Sequence, residues 1–357
     1  MMRKKVLFIG GSLNQTKMAH AVAKHLQAEH DCYFTPYYSD HPLLHRAAQK
    51  GWLDFTVMGG AGRRQTEAYL AGHNLPLDYG GRQHAYDLVV TGSDLIIQRN
   101  IRQKPIILIQ EGMTDPENVL YHLVRRLKLP RYLASTSTNG LSLAYRYFCV
   151  ASEGYKQFFI RKGIPADRMV VTGMPNYDDV RQVLRNDFPH RGYVLAATSD
   201  ARETFKFDNR KRFIRHVLAI ANGRSVIFKL HPNEKEARAR REIDELAPEA
   251  LVFAKGSVDH MIANCDVLVT QYSTVVYTGI VLGKEVHSYF DVAALRALAP
   301  WQNGGTSGQR IAQVCRGVLA GETAVSHEND PVPRPGNAEK QREGWPIPPI
   351  SKQWSSS

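Results

Sequence analysis

The chain has 357 residues, of which 43% are hydrophobic and 22% are charged, and it carries a formal net charge of +12 with a pI of about 9.5. The length favours two domains of ~100–200 residues each, and the composition is typical of a globular protein. No apolar run approaches the ~20 residues of a membrane-spanning helix, which argues against an integral membrane protein.

Two features bear on the cellular compartment. The start of the chain is basic and then apolar, but the apolar run Val6–Ile9 already ends at Gly10, which favours a first β-strand over a targeting segment. We therefore expect a cytoplasmic protein. The cysteines form no Cys-x-x-Cys pair, which predicts buried free thiols rather than a zinc site or a disulfide framework. They are Cys32, Cys149, Cys265 and Cys315.

The positive charge favours a polyanionic partner, which could be nucleic acid, an anionic membrane or a phosphorylated substrate. No nucleic-acid-binding motif is present, and the basic residues are dispersed along the chain. We therefore expect no nucleic acid as a partner. Peripheral association with an anionic membrane stays open.

Short apolar runs alternate with helical patterns in the first half of the chain. The predicted strands are Val6–Ile9, Asp87–Val90, Pro105–Ile109, Tyr147–Ala151 and Met169–Thr172. Helices are predicted over Lys17–Ala28 and, after the strand Tyr147–Ala151, through Arg161. A repeated strand–helix order predicts a parallel sheet with helices on both faces.

A second set of elements follows with the same alternation. Its predicted strands are Tyr193–Ala197, Ser225–Leu230, Ala250–Phe253, Val267–Thr270 and Glu285–Tyr289. Its predicted helices are Asn209–Ala221, Glu234–Leu246, a short one near His260, and Thr274–Leu282. The second half of the chain is therefore also predicted to be an α/β domain.

These patterns predict four regions along the chain. The first domain covers residues 1–175, a hinge containing Pro189 covers 176–191, and the second domain covers 192–320. Six prolines crowd the polar stretch after residue 321. We therefore expect residues 321–357 to be an extended or disordered tail.

Two motifs in the second domain stand at the ends of predicted strands. In Lys229-Leu230-His231-Pro232, the proline stops the strand and would hold His231 beside Lys229, where both could meet a phosphate. In the second motif, Ser273 or Thr274 would cap the following helix, and a helix N-terminus attracts anions. Each motif alone is also compatible with an ordinary turn or cap.

The two motifs together resemble the GT-B superfamily. The resemblance is carried by Lys-x-His-Pro at 229–232 and by Asp266-Val267-Leu268-Val269-Thr270-Gln271-Tyr272-Ser273-Thr274, and it extends over residues 148–291. Within the superfamily it points to CDP-glycerol glycerophosphotransferases, bacterial sialyl- and Kdo-type transferases, and UDP-N-acetylglucosamine 2-epimerases. It implies two Rossmann-like domains whose parallel sheets face each other across a cleft.

The resemblance also implies roles for particular residues. Glu111, which follows the strand Pro105–Ile109, would be the base that deprotonates an acceptor hydroxyl, although Gln110 replaces the second acid usual in such transferases. His231, Lys229, Ser273 and Thr274 would bind the donor phosphate. The nucleotide base would lie near Lys255, Gly256 and Ser257, and the acceptor near Gly11, Ser12 and Ser93. A structural role for Glu111 as a turn cap is the alternative.

No Asp-x-Asp and no cluster with metal-ligand spacing is present, so we expect neither a metal nor a cofactor. The sequence leads to a metal-independent inverting glycosyltransferase that uses a nucleotide-sugar or CDP-glycerol-like donor. Its acceptor would be a glycan or a lipid-linked molecule in cell-surface polysaccharide assembly. One alternative is an epimerase similar to UDP-GlcNAc 2-epimerase, and another is a non-catalytic polyanion-binding protein.

Overall fold

A computed structural model describes residues 3–54, 56–115, 117–203 and 207–322 of the chain. The predicted tail lies outside the described residues from position 323 onward. The described chain divides into two compact units, residues 3–179 with 300–322 and residues 180–299. Each unit contains one parallel sheet, so the predicted α/β architecture with two sheets is confirmed.

The first unit contains a six-stranded sheet in the order β2-β1-β3-β4-β5-β6. The strands are β1 (Lys5–Gly10), β2 (Asp31–Pro36), β3 (Leu88–Thr91), β4 (Ile106–Ile109), β5 (Tyr147–Val150) and β6 (Met169–Val171). The helices of this unit are α1 (Leu13–Ala23), α2 (Pro42–Gln49), α3 (Gly60–Gly72), α4 (Val119–Leu127), α5 (Glu153–Arg161) and α11 (Ser307–Ala320). All strand pairings are parallel.

Strand β2 is absent from the sequence-based prediction. It lies at the edge of the sheet and pairs only with β1 among the named strands. Its sequence, Asp-Cys-Tyr-Phe-Thr-Pro, mixes polar residues with apolar ones, so it lacks the continuous apolar run by which central strands are predicted. The central strands β3, β4 and β5 are buried along their whole length, which explains their continuous apolar runs.

The second unit contains a five-stranded sheet in the order β11-β10-β7-β8-β9. The strands are β7 (Val194–Ala197), β8 (Val226–Lys229), β9 (Leu251–Phe253), β10 (Val267–Thr270) and β11 (Glu285–His287). The helices are α6 (Arg210–Ala221), α7 (Glu236–Leu246), α8 (Val258–Asn264), α9 (Val276–Val281) and α10 (Val292–Leu298). Two buried clusters, one centred on Phe213 and Phe228 and the other on Leu195 and Met261, form its core.

The predicted second domain, 192–320, extends too far toward the end of the described chain. Residues 300–320 belong to the first unit, where α11 packs on α1. The contact is close, since a Cβ atom on Gly308 would lie 3.0 Å from the carbonyl oxygen of Ala21. The buried carboxylate of Asp178 accepts a 2.8 Å hydrogen bond from the Ser307 backbone N–H at the start of α11. The sequence-based prediction did not include α11, and it therefore also missed the surface that buries this helix.

Each sheet has a point where the strand order changes direction along the chain. In the first unit this point lies between β1 and β3, and in the second between β7 and β10. Ligands of open parallel sheets bind beyond the carboxyl ends of the strands near such points. We therefore expect functional residues in the loops that follow β1, β3 and β4 and in those that follow β7, β8 and β10.

The state of the cysteines and the length of the apolar helices were also predicted from the sequence. All four cysteines are free and buried, as predicted. No helix in the described part of the chain is long and apolar enough to cross a membrane.

Candidate functional site

In the first unit, Glu111 and Ser12 lie together at the carboxyl edge of the sheet. The Ser12 hydroxyl donates a 2.6 Å hydrogen bond to Oε1 of Glu111, and the side-chain amide of Gln15 donates to Oε2. Ser12 also begins α1, because its hydroxyl accepts a hydrogen bond of 3.2 Å from the Gln15 backbone N–H. Both oxygens of the carboxylate are thus held by the loop and first turn after β1.

Two glycines make room for the Gln15 side chain. A Cβ atom on Gly11 would lie 1.8 Å from its amide oxygen, and a Cβ atom on Gly92 would lie 3.0 Å from its Cγ. The glycine-rich loop after β1, which the sequence analysis assigned to the acceptor, therefore also orients the group that holds Glu111. Gln15 was missed in the sequence because nothing near it indicates contact with a residue so far along the chain.

The environment of Glu111 changes its acidity. Burial raises the pKa of its carboxyl above the ordinary value, while the hydrogen bonds from Ser12 and Gln15 oppose that shift. The residue as a whole is only half-buried. A carboxylate with a raised pKa, held in place by two side-chain hydrogen bonds, has the properties of a general acid or base.

Gln110, the departure from the transferase pattern, has a structural role. Its side chain is buried, accepts a 2.9 Å hydrogen bond from the Ala151 backbone N–H and donates one of 3.0 Å to the Gly112 carbonyl oxygen. An ionised carboxylate could not make the second bond, because it has no hydrogen to donate. The amide therefore connects the ends of β4 and β5 and shapes the turn that presents Glu111.

Ser93 follows β3, the strand next to β1, on the same edge of the sheet. Its hydroxyl accepts a 3.5 Å hydrogen bond from the Leu95 backbone N–H. The adjacent Asp94 is fully buried and accepts hydrogen bonds from the backbone N–H groups of Gly140 and Ser142 at 2.8 and 2.9 Å. Asp94 is thus an anchor for the loop, and Ser93 is the more accessible of the two.

In the second unit, His231 stands at the end of β8 with a defined ring orientation. Its Nδ1 accepts a 3.3 Å hydrogen bond from the Asn233 backbone N–H and lies 3.6 Å from the Asp200 carboxylate. When the imidazole is neutral, an accepting Nδ1 leaves the hydrogen on Nε2. The partly exposed ring can therefore donate a hydrogen bond from Nε2 to an anion.

A buried network of charges supports the loop that carries His231. Glu234 accepts a 3.0 Å hydrogen bond from the His231 backbone N–H and lies 2.7 Å from the guanidinium of Arg210. Arg210 also pairs with Asp208 at 2.9 Å, and Asp208 accepts a 2.6 Å hydrogen bond from the Gln271 amide after β10. Fixed charges thus connect the loops that follow β8 and β10. Glu234 was missed because its partner Arg210 lies on a separate helix.

Lys229 does not lie where the sequence analysis expected it. Its ammonium donates hydrogen bonds to the carbonyl oxygens of Leu230 at 2.7 Å and Ala254 at 3.1 Å, and the residue is buried. Burial also lowers its pKa. These contacts connect the ends of β8 and β9. Lys229 therefore has a structural role in this arrangement and is not an accessible phosphate ligand.

The helix after β10 also differs from its prediction. It begins at Val276, Val275 occupies the N-cap position, and no side-chain hydroxyl caps it. The Ser273 hydroxyl accepts a 3.5 Å hydrogen bond from the Val275 backbone N–H, so Ser273 and Thr274 belong to a turn before a helix of only six residues. The predicted capping of this helix by Ser273 or Thr274 is therefore wrong.

The remaining donor residues follow β9. Lys255, Gly256 and Ser257 are exposed, and Gly256 has a φ of 93°, a backbone conformation that suits glycine. The Ser257 hydroxyl caps α8 by accepting a 3.3 Å hydrogen bond from the His260 backbone N–H. Among the described residues, no group of three His, Cys, Asp or Glu side chains is close enough to hold a metal ion.

Comparisons with known proteins identify the fold. No protein-family model and no curated protein matches the chain in sequence. A crystal structure of a UDP-N-acetylglucosamine 2-epimerase superposes with a TM-score of 0.56 and 13% identity, covering 94% of this chain and all of the other. A putative UDP-N-acetylglucosamine 2-epimerase from Listeria monocytogenes has a TM-score of 0.55 and 11% identity, with 93% and 100% of the two chains covered.

A UDP-GlcNAc 2-epimerase from Neisseria meningitidis, solved with UDP-GlcNAc bound, is also similar. Its TM-score is 0.52 at 13% identity, with 88% of this chain and 99% of the other covered. Together with the two parallel sheets, these similarities define a GT-B fold, and that prediction is confirmed. At such low identity the similarity establishes the fold alone.

Proposed function

We propose that the chain is an enzyme that acts on a nucleotide-activated sugar or a CDP-glycerol-like donor and transfers the activated group to a hydroxyl acceptor. The observation that carries this proposal is the carboxylate of Glu111, which has a raised pKa and is held by Ser12 and Gln15 at the sheet edge. A base of this kind is what an acceptor hydroxyl needs, because an alcohol is a weak nucleophile until its proton is removed.

In the proposed reaction, Glu111 takes the proton of the acceptor hydroxyl. With a nucleotide-sugar donor, the acceptor oxygen forms a bond to the anomeric carbon, and the bond from that carbon to the phosphate oxygen breaks. The nucleotide leaves with the bonding electrons, and the configuration at carbon is inverted. Ser12 and Ser93, on the same edge of the sheet as Glu111, would orient the acceptor.

The second unit would bind the donor. The Nε2–H of His231 would donate a hydrogen bond to the phosphate oxygen on which charge develops as the nucleotide leaves. The exposed ammonium of Lys255 would add positive charge near the same sheet edge. Hydrogen-bond donors and cations of this kind stabilise a leaving phosphate, so we propose that the reaction needs no metal.

The proposal is tested with a panel of UDP-, GDP-, CMP- and CDP-activated donors, each supplied with glycan and lipid-linked acceptors while nucleotide release is followed. Thermal shifts with the free nucleotides select the donor base, because a bound ligand stabilises the folded state. We expect Glu111→Gln and His231→Ala each to lower turnover by about 10²–10³-fold. The exposed Glu153, on α5 of the same unit, provides the matched control Glu153→Gln. Turnover at the wild-type rate in both variants contradicts the proposal.

A sugar-nucleotide epimerase is the second candidate. It is favoured by the similarity to UDP-GlcNAc 2-epimerases over nearly the full length of both chains. Incubation with UDP-GlcNAc and no acceptor separates the two candidates, because epimerisation consumes no second substrate. Conversion of the sugar in that mixture identifies an epimerase, while release of nucleotide that depends on an acceptor identifies a transferase.

A further inference from the structure

Helix α4 and the segment after it form a small module between β4 and β5. The inner face of the helix contributes Tyr121 and Val124 to a cluster with Ala134, against which Leu129 and Leu141 pack. The module therefore has a hydrophobic centre of its own, and the inner face of α4 is already occupied.

The outer face of the module is apolar as well. Six large apolar side chains on α4 and in the turn after it are between 37% and 84% exposed. They are Val119, Leu120, Leu123, Leu127, Tyr132 and Leu133. An isolated exposed leucine is ordinary on a protein surface, but a group on one short module marks a binding surface.

Cations border this apolar surface. Residues 118–135 contain four arginine or lysine residues and no acidic residue. Arg131 pairs with the buried Asp94 at 3.0 Å, and Arg125 donates a 3.0 Å hydrogen bond to the Tyr121 hydroxyl. Arg126 and Lys128 are exposed, and the structure shows no ion pair for either with a described residue. They provide positive charge on either side of Leu127 in the sequence.

We infer that this outer face, formed by α4 and Tyr132-Leu133, docks the protein on an anionic lipid surface. The leucines would enter the boundary between headgroups and acyl chains, Tyr132 would lie at the headgroup level, and Arg126 and Lys128 would contact anionic headgroups. A helix with apolar residues on one side and cations beside them is suited to lie in the plane of a membrane interface.

Charge decides between a lipid surface and a second copy of the chain. Two copies meeting through this face would bring Arg126 and Lys128 of each copy together, and each chain carries a net charge of +12. Like charges disfavour such an interface, whereas an anionic bilayer attracts both the local cations and the whole chain.

The test is co-sedimentation of the full chain with vesicles of phosphatidylcholine alone and with vesicles of equimolar phosphatidylcholine and phosphatidylglycerol. We expect binding to the second kind only. The variant Arg126→Gln/Lys128→Gln should bind about 30-fold more weakly, which corresponds to about 1 kcal/mol for each cation. The control Arg181→Gln/Arg185→Gln removes two exposed cations of the second unit and should bind like the wild type.

The apolar contribution is tested separately with Leu120→Ser/Leu123→Ser, against the control Leu184→Ser, whose side chain is similarly exposed. We expect the double variant to bind about tenfold more weakly, with an unchanged melting temperature that shows it is folded. Equal vesicle binding by the α4 variants and the wild type overturns the inference. So does a wild-type chain that ignores vesicles and forms dimers in light scattering that Leu120→Ser/Leu123→Ser dissociates.

Discussion

The hydroxyl of Ser12 donates a 2.6 Å hydrogen bond to the carboxylate of Glu111, across 99 positions of sequence. The two residues follow β1 and β4, which are separated in the sheet by β3 alone. Ser12 begins α1 and holds Glu111 with the same hydroxyl, so the start of the helix and the position of the carboxylate depend on each other.

Removing the Ser12 hydroxyl should change the pH dependence of turnover. The hydrogen bond from Ser12 favours the ionised form of Glu111, so its loss raises the pKa of that carboxyl further. If Glu111 acts as a base, the acidic limb of the profile of kcat/KM against pH should move to higher pH in Ser12→Ala. The variant should also lose about 1 kcal/mol of stability, because α1 loses its cap.

The matched control for the lost cap is Asn118→Ala, which removes the side chain that caps α4 in the same unit. It should have a similar cost in stability and leave the acidic limb in place. An acidic limb at the same pH in wild type and Ser12→Ala would contradict the effect that we expect the Ser12 hydrogen bond to have on the pKa of Glu111.

Replacing Glu111 with glutamine should stabilise the fold at neutral pH. The pKa of Glu111 is higher in the folded state than its ordinary value of 4.5, because burial disfavours the charge. The folded state therefore binds the proton more tightly than the unfolded state, and wild-type stability falls as pH rises from 4.5 through the raised pKa. The gain in the free energy of unfolding of Glu111→Gln over wild type is present above this pH range and disappears below it.

Urea unfolding of Glu111→Gln and wild type across pH measures this difference. The exposed Glu153 of α5 provides the control, since Glu153→Gln should show no gain of this kind. A loss of stability in Glu111→Gln at neutral pH would mean that the hydrogen bonds from Ser12 and Gln15 outweigh the cost of burial.

Adjacent residues on α6 should differ in their contribution to stability. The guanidinium of Arg210 is buried and pairs with Asp208 and Glu234, so Arg210→Ala removes the buried cation that both buried carboxylates share and should cost about 3–5 kcal/mol. Lys211 pairs with Glu245 at 2.6 Å in an exposed position, so Lys211→Ala should cost less than about 1 kcal/mol.

Urea unfolding at one pH measures both variants. Equal losses of stability would show that the Arg210 network is more hydrated than its burial implies. At low urea, where Arg210→Ala is still folded, its turnover should also fall, since Glu234 would no longer hold the His231 loop in place.

A substitution at Lys229 can distinguish a structural role of this residue from a phosphate-binding role. Lys229→Met keeps the apolar stem but removes two hydrogen bonds to carbonyl oxygens, and it should lower the free energy of unfolding by about 1–3 kcal/mol. Nucleotide affinity, measured by calorimetry, should stay within about twofold of wild type, well below the tenfold change that 1.4 kcal/mol produces.

Lys255→Met is the comparison, because that ammonium is exposed at the neighbouring strand end and should change affinity with little change in stability. A large loss of nucleotide affinity in Lys229→Met, with stability retained, would restore the phosphate-binding role that the sequence analysis assigned to Lys229.

The sequence by itself determined the two parallel α/β units and the strand ends that carry Glu111 and His231. A strand enclosed on both faces needs a continuous apolar run, and such runs are visible without knowledge of the fold. The GT-B resemblance followed from motifs that are local in sequence, Lys229–Pro232 and Asp266–Thr274.

Only the tertiary structure decided which residues touch. It placed α11 in the first unit, brought the ammonium of Lys229 to the carbonyl oxygen of Ala254 and brought Ser12 to Glu111. None of these contacts is local, because each joins segments that the sheet order or helix packing brings together. A residue's type and its immediate neighbours in the sequence do not indicate such a distant partner. The sequence therefore identified the functional groups, and the fold determined their contacts.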